Sequence, residues 1–317
     1  MDRTQRRLIG LGAGAAALGG LGALGAVGFV ALLKHQAAQA RATIGKPLGE
    51  TALVADKVYR RRYADRGEPI ELVLIGDSIA AGLGAGRAKG TLGARLAKEI
   101  GDRLDRPVRL TTLAKVGAET WMLPEQQLAR LAPSEVPDVA VVVVGGNDVT
   151  HRIPVAESVE ALTRVIDDLR GRGCPVVVGT CPDLGALRPL PDPLRSLAGR
   201  ASRQLAAAQR DAALAAGAHV VSLAEVVGPF FVTNPDDMFS IDHFHPSELG
   251  YRRTAEALVP SVLAALGERD EVPFGHHAPA PSALHSQVPS AKHEAGTLAV
   301  RVTTHELRST KDAERNA

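Results

Sequence analysis

From Glu71 onward, short apolar runs alternate with longer stretches whose apolar residues recur at helical spacing. Strands are predicted at Glu71–Gly76 (ELVLIG), Val108–Leu113 (VRLTTL), Val139–Val144 (VAVVVV), Pro175–Gly179 (PVVVG) and His219–Leu223 (HVVSL). Between them, helices are predicted at Thr91–Leu104, Pro124–Leu131, Val155–Arg170 and Ser196–Ala216, with a last one from Ser247 to about Leu266. Strands alternating with helices predict an α/β domain, 71–266, in which a parallel five-stranded sheet is covered on both faces in three α/β/α layers. Unbroken apolar runs such as VAVVVV suit strands buried on both sides. The Pro-rich interval Asp183–Pro193 reads as a loop, and no internal repeat is visible.

The pattern fails at both ends. Arg3, Arg6 and Arg7 precede an uncharged run, Leu8–Leu33, long enough to span a bilayer. The small residues Ala38–Ala40 (AQA) also offer a signal-peptide cleavage site, and Arg6–Arg7 offers a twin-arginine signal or an ordinary basic leader. Export to the cell envelope is common to these readings; membrane attachment follows if the segment, 1–40, is not cleaved. Residues 41–70 read as a linker. After Leu266 the chain turns rich in Pro, Ser, Ala and His, as expected of a disordered tail over 267–317. Five of the ten histidines fall there, irregularly spaced and without Cys or carboxylate partners, which favours a solvated tail over a metal site. Near the end, Thr297–Val302 (TLAVRV) could add an edge strand.

A net charge of +2 and 3% aromatic residues give no support to a nucleic-acid surface. The only cysteines, Cys174 and Cys181, flank a predicted strand that would hold them roughly 23 Å apart, too far for a disulfide.

The glycine-rich stretch after the first strand, Leu72–Gly90 (LVLIGDSIAAGLGAGRAKG), invites a phosphate-loop reading. It lacks the GK[ST] of a P-loop, because Gly90 follows Lys89, and it does not complete GxGxxG. The nucleophile elbow GxSxG half fits, with Gly76 before Ser78 but Ala80 after it.

The residues just past each strand are more telling, because ligands of open parallel sheets sit beyond the strands' carboxyl ends. Gly76-Asp77-Ser78 comes after the first strand, Gly117 after the second, Gly145–Asp148 (GGND) after the third, and Asp242–Tyr251 (DHFHPSELGY) after the fifth. Those stations hold the parts of acyl transfer. A serine hydroxyl needs a base, for which His245 is the candidate; Asp242, three residues earlier, can hold its Nδ1–H. The Ser78 and Gly117 N–H groups and the Asn147 amide can form an oxyanion hole.

In these blocks (GDSIAAG, the glycine block with Thr120 three residues on, GGND, and DHFH running into HPSELGY) the sequence resembles the SGNH hydrolases, the GDSL lipases and esterases. The resemblance spans roughly Glu71–Leu266 and departs at Ala80, where many members carry Thr or Ser. It implies a flavodoxin-like α/β/α fold, Ser78, Asp242 and His245 as catalytic residues, Ser78, Gly117 and Asn147 as the oxyanion hole, no metal or cofactor, and hydrolysis of a small-molecule, lipid or glycan ester.

Taken singly, Ser78 also fits a helix cap, Gly117 a turn and Asn147 an Asx-turn. Asp77 reads as an orienting residue and Asp148 as a loop-holding one. His243 competes with His245, but Pro246, expected at the first helical position, favours its neighbour. His151 reads either as pocket lining or as a loop histidine. Phe230, Phe231, Phe239, Phe244 and Met238, with Trp121 after Gly117, suit either an acyl-binding wall or packing of a long loop. The rivals to a hydrolase are an acyltransferase with the same triad and a silent envelope protein of the same fold.

Overall fold

The computed structural model describes residues 27–280. Seven strands form one sheet: β1 (Val58–Tyr59), β2 (Ile70–Gly76), β3 (Val108–Thr112), β4 (Val139–Val143), β5 (Val176–Gly179), β6 (His219–Val221) and β7 (His276–His277). Their order is β1-β3-β2-β4-β5-β6-β7; the inner five are parallel and both edges are antiparallel. The five parallel strands match the expected runs to within two residues at either end. The edge strands lie where a linker and a tail were expected, so the folded unit extends past both boundaries.

Four long helices complete the three layers: α1 (Leu92–Leu104), α2 (Val155–Gly171), α3 (Leu194–Ala215) and α4 (Glu248–Ala265). Alternation along the strands decides which layer each side chain meets. Leu72, Leu74, Val139 and Val141 point into the core with α1 and α4, whereas Val73, Ile75, Ala140 and Val142 point into the core with α2. All of these are at most 3% exposed, which is why strands with no polar face appear in the sequence.

The helix expected at Pro124–Leu131 is broken into Leu123–Gln126 and a 3₁₀ turn at Leu128–Arg130. The break falls at Gln127, whose fully buried side chain turns in to bond the backbone of Gly76 at the end of β2. Residues 27–44 form a further helix. Among the described residues no helix is long and apolar enough to cross a membrane. Most of the run Leu8–Leu33, the segment Thr297–Val302 and His285, His293 and His305 lie outside the described residues. Cys174 and Cys181 are buried and free, as the strand between them requires.

Candidate active site

The chain leaves β2 through Gly76, at φ 141°, where any side chain would collide with the Val143 carbonyl of β4 at 1.9 Å. Gln127 grips the same glycine, its Oε1 accepting the Gly76 N–H at 2.9 Å and its Nε2 donating to the Gly76 carbonyl at 2.8 Å. The turn beyond is thereby held, and it starts a four-residue helix, Ser78–Ala81. Asp77 caps that helix by accepting the Ile79 N–H at 2.9 Å.

Ser78 faces the loop that precedes α4. Its Oγ lies 2.9 Å from Nε2 of His245, whose Nδ1 lies 2.6 Å from Oδ2 of Asp242. The carboxylate requires the ring proton on Nδ1, leaving Nε2 to accept from the serine. The other Asp242 oxygen accepts the N–H groups of Phe244 and His245, each at 3.0 Å. Burial raises the Asp242 carboxyl, but the bonds from the His245 ring and these two N–H groups outweigh it and hold the group below the ordinary aspartate value.

His243 is exposed, in a left-handed conformation at φ 52°. Pro246 does not begin the helix. Ser247 caps it, accepting from Leu249 and Gly250, while Pro246 forms a bridge with Phe239.

The glycine-rich loop supports this assembly. Gly84, at φ 103°, passes so close to the histidine loop that an added Cβ would lie 2.4 Å from the Pro246 carbonyl and 3.1 Å from Cβ of His245. Ser240 donates to the Gly84 carbonyl at 3.1 Å, and Arg87 and Arg95 pair with Glu248 in the first turn of α4. The loop thus seats the histidine rather than cradling a phosphate. Gly84→Ala is expected to shift the histidine loop by a fraction of an ångström and lower kcat by up to about 10²-fold, with the protein still folded. Steady-state kinetics beside a melting curve check this; an unchanged kcat would show that the contact does not set the histidine's position.

The two remaining stations meet at the neighbouring strand ends. Asn147 donates from Nδ2 to the Ala118 carbonyl at 3.0 Å, leaving its second N–H unused by that bond. Asp148, 1% exposed, accepts the Thr120 N–H at 3.2 Å and the Ser158 hydroxyl at 2.6 Å, so it holds the loop, as expected. Among the described residues the N–H groups of Ser78 and Gly117 bond to no acceptor. Gln209 of α3 acts as Gln127 does, bonding the Val144 carbonyl and the Cys181 N–H. Both glutamines were silent in the sequence; the only trace of them is an uncharged polar residue at an otherwise apolar helical position.

Ser78, Asn147 and His245 line one cavity together with Leu187, Val227, Phe231, Phe239 and Phe244. Gly117 is not part of that lining, although Ala118 beside it is the acceptor for Asn147. Trp121 and His151 also stand apart, each bonded to Glu119 on the surface. Met238 is buried in packing, and Phe230 is 41% exposed beneath Arg253.

Burial pushes the Asp77 carboxyl up to about 6. Because that folded value exceeds the unfolded one, the associated stability is complete below about pH 3.9 and is lost as pH rises through 6. Asp77→Asn keeps the cap without the charge, so it should gain up to about 3 kcal/mol relative to the parent between pH 4 and 8. Urea unfolding at both pH values tests this; a difference between the two proteins that does not vary with pH contradicts it.

A model of the GDSL-like lipase/acylhydrolase family matches residues 74–253. The GDSL-like esterase Rv1075c of Mycobacterium tuberculosis is 36% identical over 259 residues, covering 78% of this chain and 81% of the relative. Among solved structures, the psychrotrophic esterase EstA of Pseudoalteromonas sp. is 15% identical with a TM-score of 0.49, covering 62% of this chain and 99% of that one. The lipase/acylhydrolase of Enterococcus faecalis is 24% identical with a TM-score of 0.45, over 63% and 99%. The family match over more than half of the chain and the relative aligned over most of it lead to one conclusion: the chain belongs to the GDSL-like lipase/acylhydrolase family, the SGNH hydrolases, and is an esterase-type acylhydrolase.

Proposed function

We propose that the enzyme hydrolyses carboxylic esters through an acyl-enzyme on Ser78. The observation that carries this reading is the continuous hydrogen-bonded chain from Asp242 through His245 to the Ser78 hydroxyl. As Ser78 Oγ attacks the ester carbonyl, His245 Nε2 takes its proton, and Asp242 stabilises the imidazolium. The carbonyl oxygen becomes an anion, met by the N–H groups of Ser78 and Gly117 and the free N–H of Asn147. Collapse expels the alcohol, protonated by His245. Water then attacks the acyl carbon, its proton passing to His245, and Ser78 leaves with that proton restored.

The apolar side chains beside Ser78, chiefly Leu187, Val227, Phe231 and Phe239, support an acyl chain as the group that fills the cavity. Hydrolysis of nitrophenyl esters of increasing acyl length is expected to rise with chain length in kcat/KM and then fall once the cavity is full. Acetate outperforming every longer acyl group would contradict the acyl-binding role of this wall. The acyltransferase alternative differs only in what attacks the acyl-enzyme, so added alcohol acceptors in the same assay separate the two.

A further inference from the structure

The helix of residues 27–44 has two unlike parts. Leu33, Gln36, Ala37, Ala40 and Ile44, spaced as one helical face, are buried or half-buried, whereas residues 27–32 are exposed throughout. Gln36, 7% exposed, makes the junction: its Nε2 donates to the Asp192 carbonyl at 2.7 Å and its Oε1 accepts the Leu194 N–H at 3.2 Å. The segment it grips continues the strap whose Asp183, Leu184, Ala186 and Leu187 line the Ser78 cavity. Beyond the grip, Val27, Phe29, Val30 and Leu32 project unpartnered, 43–69% exposed. They lie in the last seven residues of the uncharged run Leu8–Leu33, which Lys34 follows.

We propose that a lipid bilayer is the partner of this surface, with Val27, Phe29, Val30 and Leu32 in the hydrocarbon and the mouth of the Ser78 cavity held against the headgroups. The proposal rests on the ester-hydrolase reading and adds where the substrate lies: an acyl ester resident in the membrane. The distances fit. Gln36 lies three residues past Leu33, about 4.5 Å along a helix axis, within a headgroup layer roughly 5–7 Å deep on each side. The gripped strap therefore stands at the interface. Val232, 62% exposed, shares a groove with Asp192 of that strap and with Arg195 and Ser196 in the first turn of α3, and belongs to the same rim. Burial of Gln36 and Ala40 in the folded body also runs against cleavage after Ala40, which would remove the grip.

The test uses the full chain with phosphatidylcholine vesicles carrying doxyl-labelled lipid. A fluorophore at Val232→Cys should be quenched, and one at Asp105→Cys, at the opposite end of the sheet, should not. Gln36→Ala loses two buried hydrogen bonds, so the ratio of vesicle-embedded to soluble ester hydrolysis should fall about tenfold while soluble ester hydrolysis persists. A chain that does not float with vesicles, equal quenching at both positions, or an unchanged ratio in Gln36→Ala each overturns the proposal. None of these touches the ester-hydrolase reading, which fails separately if soluble esters are not cleaved.

Discussion

Ser78→Ala is expected to lower kcat on any ester the enzyme cleaves by about 10⁵- to 10⁶-fold. The size reflects the machinery left behind: without an oxygen 2.9 Å from His245 Nε2, no acyl-enzyme forms, and only the aimed donors assist attack by water. Because the two residues act as one unit, His245→Ala should cost nearly as much, and the double variant little more than either. Burst kinetics make the measurement sharper, since a rapid release of alcohol equal to the enzyme concentration should disappear with Ser78. A Ser78→Ala protein that kept more than a hundredth of the parent rate would exclude this serine as nucleophile.

Asp242→Asn should cost about 10⁴-fold in kcat while the protein stays folded. The mechanism lies in the orientation of the new amide. Two backbone N–H groups, of Phe244 and His245, donate to one oxygen of Asp242, so the asparagine must keep its carbonyl there. Its NH₂ then faces His245 Nδ1 and donates to it. The ring proton moves to Nε2, the nitrogen that should accept from Ser78, and the base is lost without any displacement of atoms. Activity within tenfold of the parent would mean that Asp242 does not govern the tautomer. Comparable unfolding curves for parent and variant separate this result from collapse of the loop.

Much of this was legible from the chain. The short apolar run of 139–143, rich in β-branched valine, reads as a strand buried on both faces, and the sheet's carboxyl ends then gathered Ser78, Asn147, Asp242 and His245 on one rim. The elements that escaped share a physical reason. β1 and β7 have two residues each, too few for a period to show, and they exist because a distant strand offers an edge. The helix across Pro124–Leu131 had a satisfactory local pattern, but the bond from Gln127 to Gly76, 51 residues away, outweighed it. Pro246 looked like a first helical residue until Ser247 proved to be the cap, since a serine accepting two N–H groups is the stronger start signal. Trp121, four residues after Gly117, bonds Glu119 outside the cavity, a placement that its position in the sequence does not reveal. The glycines of 82–90 were conspicuous from the outset, but their purpose required the position of a loop about 160 residues further on.

That last feature gives the enzyme an order of assembly. Ser78 leaves the ribosome long before His245, and its hydroxyl has no histidine beside it until α4 closes on the glycine loop and brings His245 within reach. Neither an unfinished chain nor one whose α4 is still undocked has His245 beside Ser78, so neither is expected to hydrolyse esters. Recovery of hydrolysis after dilution from denaturant therefore reports when α4 docks against the glycine loop, in a chain whose β7 still follows it.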